Sequence, residues 1–568
     1  MRSFFSAALA FGVASAKPLE VSDYIRAATN TPAGQSSSST QTGPCSLINN
    51  ALATGPTDPR GNTIIDPDLA LACLQSVPLD VKGDTLQMAG LRAFVEFQST
   101  LEYLEDPPEG FLYPAVDIRG GVEELAARLK TSYYSNEYDF QMDVMRVVNS
   151  AYDEHFNYPA DITSIFYFRR ALKLFSLSKD GLSLPEIYAN TDVGALAYSN
   201  LTHYTPSPIT KINGVNVEEW LNDYASINGN AQDPDANYNN NLYNIPTLTP
   251  SGAGSAAGAF AGSVFYQGNS TVLTFANGTS IPVLTYATTN ECFKGVTNGK
   301  TFFQRFCTGP KKTTPCNVPS STSNTTGNTG PRPDTTQVPY VAVPTETSAR
   351  YSSWYPKAVS YSSDYYIAGF LPEELPDTAV LAIPNFGPDT ALQIEFENTA
   401  RELFATAKAA GKTKLIIDLR GNGGGTVLLA YDLFHQLFPS IAPVGITNFR
   451  AHALFNETGV STSAYFANYT AETAPKSLSN TGFDSVFNFR EELDAMYRDF
   501  DSWEDFYGPK QIHGGNFTNL VRYNLSDHWQ TSDVPVYGYS NDTLPQPQTF
   551  EPENIILLQD GKQHFASS

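Results

Sequence analysis

Hydrophobic positions at helical spacing begin after Asp84, a candidate N-cap: Leu86, Gly90, Phe94, Phe97, Leu101 and Leu104 recur every three or four residues until Pro107-Pro108 stops them. Phe140, Val144, Val147, Val148 and Ala151 mark a second helix, expected to end near Asp153. Residues 17–157 therefore read as a mainly helical region. Beyond it, short apolar segments at Ile162–Phe168, Ile209–Val217, Ser263–Tyr266, Thr271–Phe275 and Ile281–Tyr286 are parted by Gly, Asn and Pro. Such spacing predicts strands joined by turns, a small β-rich module over 158–290. Its Ala/Gly/Asn-rich stretch, roughly 226–262, reads as long surface loops.

Residues 291–345 hold three cysteines and then a Ser/Thr/Pro/Gly-rich run, 317–336, with no large apolar side chain after Val318. They predict a linker. From 346 the pattern changes again: a strand at Ala379–Ile383, a helix from Thr390 to Ala410, a strand at Leu415–Leu419, a Gly-rich turn at 421–425 and a helix at Val427–Phe438. A strand-helix-strand unit of this kind implies parallel pairing through a right-handed crossover. The fold class is thus multidomain α/β, with a helical N-terminal region, a β-rich module and an α/β core over 346–568. No internal repeat is found.

At 568 residues the chain has room for about three to five domains. Acids outnumber bases 58 to 35, and the net charge of −23 would repel a nucleic acid or an anionic membrane surface over most of the molecule. Neither is expected as a partner.

Met1-Arg2-Ser3, the apolar stretch Phe4–Val13 and Ala14-Ser15-Ala16 form a secretory signal peptide, 1–16, with cleavage leaving Lys17 first. No later run reaches the roughly 18 apolar residues that span a bilayer, so no membrane segment is expected in the mature form. Nine Asn-x-Ser/Thr triplets, headed by Asn200, Asn269, Asn277, Asn324, Asn456, Asn468, Asn516, Asn524 and Asn541, fit a secreted glycoprotein. Cys45, Cys73, Cys292, Cys307 and Cys316 suit an oxidising compartment, and without CxxC spacing or neighbouring histidines they imply no metal site. Cys45 with Cys73 is the natural local disulfide, and one of the other three is left without a partner.

Gly421-Asn422-Gly423-Gly424-Gly425 follows a buried strand and opens a helix, a setting in which backbone N–H groups can hold an anion or a developing oxyanion. A nucleotide-binding reading fails, because no Gly-Lys-Ser/Thr is present and Thr426 stands where the dinucleotide fingerprint has its last Gly. A glycine turn needed only for tight packing is the plainer alternative. The run Leu415–Gly425 is similar to the Asp-x-Arg-x-Asn-x-Gly-Gly signature of the S41 serine peptidases, the tail-specific or C-terminal processing proteases. The layout most resembles the fungal branch related to the chlamydial protease-like activity factor. Ile212-Asn213-Gly214-Val215 looks like the turn of that branch's PDZ-like module, and Tyr507-Gly508-Pro509 with Gly515-Asn516-Phe517-Thr518 looks like a late segment of its peptidase domain.

The resemblance implies several roles. His155, within Tyr152-Asp153-Glu154-His155-Phe156, matches the segment that supplies the family's general base; a His at a helix C-terminus beside two acids would have its imidazolium stabilised. The amides around Gly423 and Gly424 would serve or support the oxyanion site. Residues 158–290 would be a PDZ-like module taking an extended peptide by strand addition. No organic cofactor or metal is implied, and the partner is a polypeptide substrate. The family's serine follows a strand ending in Asp-Gly, within an Asp-Gly-x-Cys-x-Ser-x-Cys type segment. Asn554–Gly561 reproduces the strand and the Asp-Gly, but Lys562–Ser568 lacks both cysteines, leaving Ser567 as the candidate nucleophile and no counterpart for the acid that orients the base. The peptidase domain is therefore expected to be truncated at its C-terminus. The expected function is a secreted or vacuolar serine endopeptidase, with processing of a precursor in fungal ribosomal peptide toxin biosynthesis as one role the resemblance allows. The alternative is an inactive homologue that binds peptides.

Overall fold

The computed structural model describes residues 43–58, 61–197, 206–244, 257–309, 356–470, 472–475, 477–478, 482–526, 536–539 and 547–560. The expected signal peptide, the 317–336 linker, Cys316, Asn200, Asn324, Asn541, His203, His528, His564 and Ser567 lie outside these residues.

The N-terminal helices are α1 (Pro44–Thr54), α2 (Pro67–Gln75), α3 (Val81–Val95), α4 (Leu101–Glu105), α5 (Ile118–Leu129) and α6 (Glu137–Asn149). Met88, Leu91, Val95, Val122, Phe140 and Val144 form the core of α3–α6. The phase of α3 differs from expectation. Leu86 and Phe94 are 68% and 61% exposed, Asp84 lies inside the helix rather than capping it, and Asp84, Met88, Leu91 and Val95 make the buried stripe. The helix also stops at Val95, so Leu101 and Leu104 reach the core from α4 instead. Helices α1 and α2, joined by the Cys45–Cys73 disulfide, pack with Phe166, Phe168, Phe293 and Phe302 of the following module.

That module contains β1 (Tyr167–Arg170), the hairpin β2 (Leu174–Leu177) with β3 (Glu186–Ala189), α7 (Asn190–Ala197), β4 (Ile209–Ile212), β5 (Val215–Asn216), α8 (Val217–Asn228), α9 (Pro234–Asn240), β6 (Gly262–Ser263), β7 (Ser270–Phe275), β8 (Ser280–Thr288) and α10 (Gly299–Phe306). Six strands form one antiparallel sheet in the order β5-β4-β7-β8-β1-β6. Leu221 of α8 packs with Ile212 and Leu273. The stretch read as long surface loops holds α9, with Pro234 at its first position and Asp233 capping the Asp235 amide.

The α/β core contains β9 (Ser360–Tyr361), β10 (Ala368–Phe370), β11 (Thr378–Ala382), α11 (Gln393–Ala409), β12 (Lys414–Asp418) and α12 (Val427–Leu437). A C-terminal lobe follows, with β13 (Ile446–Thr447), α13 (Ala453–Tyr465), β14 (Leu493–Asp494), α14 (Trp503–Tyr507), β15 (Lys510–Ile512), β16 (Gly515–Phe517) and β17 (Val521–Arg522), before β18 (Ile555–Leu558) returns to the main sheet. That sheet runs β18-β12-β11-β10-β9, parallel from β11 through β12 to β18. Phe396, Ala400, Leu403 and Ala407 of α11 and Leu429, Leu433 and Leu437 of α12 cover Leu381, Leu415 and Ile417. On the opposite face Phe370, Val380, Ile416 and Ile556 form a cross-strand row. Burial declines along it, from 2% exposure at Phe370 to 59% at Ile556, while Leu557 is 57% exposed. An edge this apolar and open is unusual in a parallel sheet, whose faces are ordinarily covered.

Candidate functional site

The Gly-rich turn leaves the buried end of β12, the strand next to the β18 edge. Asp418 takes Arg420 in a two-oxygen grip, with Nε to Oδ1 at 2.9 Å and a terminal nitrogen to Oδ2 at 2.7 Å. Asn422, 3% exposed, donates Nδ2–H to the Ile383 carbonyl at 2.6 Å and accepts the Gly424 amide on Oδ1 at 2.6 Å. Gly425 must be glycine: its φ is +140°, and an added Cβ would sit 2.2 Å from the Phe386 carbonyl carbon. The reason is the bridge made there, in which Phe386 donates to the Gly424 carbonyl and accepts from Thr426, both at 2.8 Å.

These bonds separate the two glycines singled out from the sequence. The Gly424 amide is already engaged by Asn422, whereas Gly423 is exposed, its amide bonds no described residue, and, its chain neighbours aside, no described residue comes within 4 Å of where its Cβ would be. Helix α12 starts four residues later with no side-chain cap, so its first amides add a positive end to the same place. The arrangement can receive an oxyanion or another anionic oxygen at Gly423.

Strand β18 brings Asp560 to this turn. Leu558 pairs with Asp418, and two residues further on Asp560 Oδ2 accepts the Gly421 amide at 3.0 Å. The same oxygen accepts Asn244 Nδ2–H at 2.8 Å, and the Asp560 carbonyl accepts Asn239 Nδ2–H at 2.9 Å. Asn239 and Asn244 carried no signal in the sequence, since they sit in the Asn-rich stretch read as loops.

His155 does not lie at a helix C-terminus. Helix α6 ends at Asn149, and Tyr152, at φ +50°, turns the chain away. The macrodipole fades within the last turn, so Asp153 rather than a helix end is the negative group beside the ring. Asp153 Oδ1 accepts the His155 amide at 2.9 Å and lies 3.4 Å from Nδ1, while Gln98 donates to Asp153 Oδ2 at 3.0 Å. The imidazole is 67% exposed. Glu154 lines a cleft of about 400 Å³ together with Arg169, Asn228, Asn237, Asn240 and Gly258. Helix α9 borders both segments: Asn237 and Asn240 line the cleft beside the His155 loop, and Asn239 holds Asp560 beside the Gly-rich turn.

The remaining described histidines pack. Burial lowers the pKa of His435 against Tyr537 and Tyr539, His452 meets Phe97 edge-on, and His513 stacks on Tyr103 with Nε2 2.7 Å from the Asp106 carbonyl. Among the described cysteines Cys307 is the free thiol, pushed up by burial, while Cys292 is disulfide-bonded. Of the sequon asparagines, Asn269, Asn277, Asn468 and Asn516 are exposed, and Asn456 and Asn524 are half-buried. Among the described residues no helix is long and apolar enough to cross a membrane, and no cluster of three or more His, Cys, Asp or Glu is placed to hold a metal ion.

Residues 167–294 match the family model described as a CPAF-like PDZ domain. With the parallel sheet beside it, this defines a PDZ-containing α/β protein. The Peptidase S41 family protein phomP1' of Diaporthe leptostromiformis is 30% identical over 469 residues, covering 80% of this chain and 66% of that protein. The Peptidase S41 family protein ustP of Aspergillus flavus is 30% identical over 331 residues, covering 55% of this chain and 63% of its own length. The chain belongs to the S41 peptidase family. It spans just under two thirds of the length of these curated relatives. A crystal structure of a CPAF mutant aligns over 85% of this chain and 79% of its own, at 13% identity and a TM-score of 0.40, a likeness too slight to bear on fold or chemistry.

Proposed function

We propose that this chain is a serine-type endopeptidase acting on polypeptides, with His155 as general base and the Gly423 amide, supported by Gly424, as oxyanion donor. The observation that carries the reading is the exposed Gly423 amide at the end of β12, with Asp560 held 3.0 Å from the same turn. A serine a few residues past Asp560 would enter beside that amide, where a tetrahedral oxyanion needs a donor at hydrogen-bond distance. The serine attacks the scissile carbonyl, His155 takes its proton and returns it to the leaving amine, and the Gly423 N–H holds the oxyanion. Asp153, 3.4 Å from Nδ1, would orient the imidazole. Within this chain the nucleophile is assigned to Ser567.

The PDZ-like module would present the substrate as an extended strand, through the cleft beside Glu154 and the short edge strand β6. The signal-like N-terminus, the Cys45–Cys73 disulfide and four exposed sequon asparagines support passage through the secretory pathway, ending outside the cell or in a vacuole. Processing of a precursor peptide for a fungal ribosomal toxin is the role we assign within that class.

One observation favours a second reading, an inactive peptide-binding homologue. The β18 edge leaves Ile556 and Leu557 more than half exposed, so the sheet that carries the site is not closed where the nucleophile segment begins. We infer that a peptidase of this layout covers that edge with further polypeptide. The two readings part on hydrolysis of an unfolded polypeptide followed by mass spectrometry. Cleavage that falls on the order of 10⁴-fold in His155→Ala supports the peptidase. Binding of the polypeptide without cleavage supports the alternative and overturns the first.

A further inference from the structure

One carboxylate joins segments of the chain that are far apart in sequence. Asp560 Oδ2 serves both the Gly421 amide and Asn244 Nδ2, and its carbonyl serves Asn239, contacts spanning 139, 316 and 321 residues. Helix α9 is braced on its other side as well. Asn237, 3% exposed, accepts the Ala231 amide at 3.0 Å and donates to the Tyr113 hydroxyl at 2.8 Å, and the Tyr113 ring stacks on Tyr152 at 3.5 Å, three residues before His155. Gly421 at φ +70° and Gly424 at φ +85° have no side chains to hold their backbone, so an external anchor matters more here than at an ordinary turn. Both polar side chains that supply that anchor come from the PDZ-like module.

We propose that Asn239 and Asn244 are positioning residues for the Gly-rich turn: they fix Asp560, Asp560 fixes Gly421, and polypeptide seated in the α9 cleft tightens the turn through this linkage. The catalytic meaning of that tightening rests on the peptidase reading; the linkage itself does not. Because a single oxygen takes both bonds, Asp560→Asn retains the acceptor without its charge and should weaken the anchor only in part, while Asp560→Ala removes it.

The test is hydrogen exchange, read by mass spectrometry, of peptides covering Gly421–Gly425 in the full chain. Asp560→Ala and Asn244→Ala should each speed exchange of the turn by about tenfold, the size expected for losing a charge-assisted hydrogen bond, with Asp560→Asn, which keeps the acceptor but not its charge, falling between Asp560→Ala and wild type. Asn244 lies outside α9, so an effect of Asn244→Ala cannot come from unwinding that helix. In a His155→Ala background, to prevent cleavage, saturating unfolded casein should slow the turn's exchange. An added Asn239→Ala, Asn244→Ala pair should abolish that slowing. Wild-type exchange in Asp560→Ala and Asn244→Ala overturns the linkage. Casein protection that is absent, or equal with and without the asparagines, overturns its coupling to the cleft. Failure of hydrolysis or of serine labelling would sink the peptidase reading and leave these exchange results unaffected.

Discussion

Asp84 provides a pH probe of the helical region. It lies in the first turn of α3 at 3% exposure, facing Glu137 at 4% exposure in the first turn of α6. Burial first, then the charge of Glu137, pushes the Asp84 carboxyl up to about 8, with Asp80 adding in the same direction; burial also raises Glu137. Glu137 is bonded by Gln141 Nε2 at 2.7 Å and the Asp80 amide at 3.2 Å, while Asp84 Oδ2 has no hydrogen-bond partner among the described residues, and Tyr158, Cys307 and Asp161 are further titratable groups in the same region. An unfolded Asp releases its proton near pH 3.9, so between that pH and about 8 the native state holds one proton more than the unfolded state. The contribution is complete below the unfolded pKa and is lost as pH rises through the folded one. One proton corresponds to a slope of about 1.4 kcal/mol per pH unit. Wild type should therefore lose up to about 3 kcal/mol more than Asp84→Asn between pH 5 and 7 in urea unfolding. Burial also raises Glu397 to about 9, Asp432 to about 6 and Glu492 to about 7, but they titrate in both proteins and cancel in the difference. Parallel stability curves for wild type and Asp84→Asn would refute the reasoning.

Three further outcomes follow from contacts described above or beside them. Replacing Cys45 and Cys73 by Ser releases a loop with a sequence separation of 28 and should cost about 3–4 kcal/mol by the chain-entropy estimate, read from urea midpoints. Gly425→Ala should break the Phe386 bridge and cost about 2–3 kcal/mol or more, visible as faster exchange at Thr426, whereas Gly423→Ala, with open space around it, should leave stability within about 0.5 kcal/mol. Arg450, 7% exposed, bonds Glu96 at 2.9 Å and Glu102 at 3.0 Å, and Arg119 holds the same two acids. Arg450→Ala should destabilise by about 2–3 kcal/mol, less than a lone buried pair would lose, because Arg119 still compensates both carboxylates.

The α/β core was legible because its parallel strands read as apolar runs: Leu415–Leu419 and its Gly-rich exit predict a strand that ends in a turn. The helical region was legible in kind but not in phase. On α3 the sequence places apolar Leu86 and Phe94 toward solvent and acidic Asp84 inward, so periodicity alone selected the wrong stripe. Helix α9 was hidden by its composition, although Asp233-Pro234 offered a cap and a first-turn proline. For the candidate site, the sequence singled out the turn and His155, but not that Gly424 is internally bonded or that Tyr152 carries His155 off the helix. Asn239 and Asn244 were out of reach of any local pattern, because their partner lies more than 300 positions away.

The central claim is tested most directly by treating the full chain with a fluorophosphonate probe, measuring intact mass and mapping the adduct. The account predicts one adduct, on Ser567 past the Asp560 anchor, lost in His155→Ala and weakened in Asp560→Ala. A chain that binds unfolded polypeptide yet takes up no probe, or one labelled equally with and without His155, would contradict it.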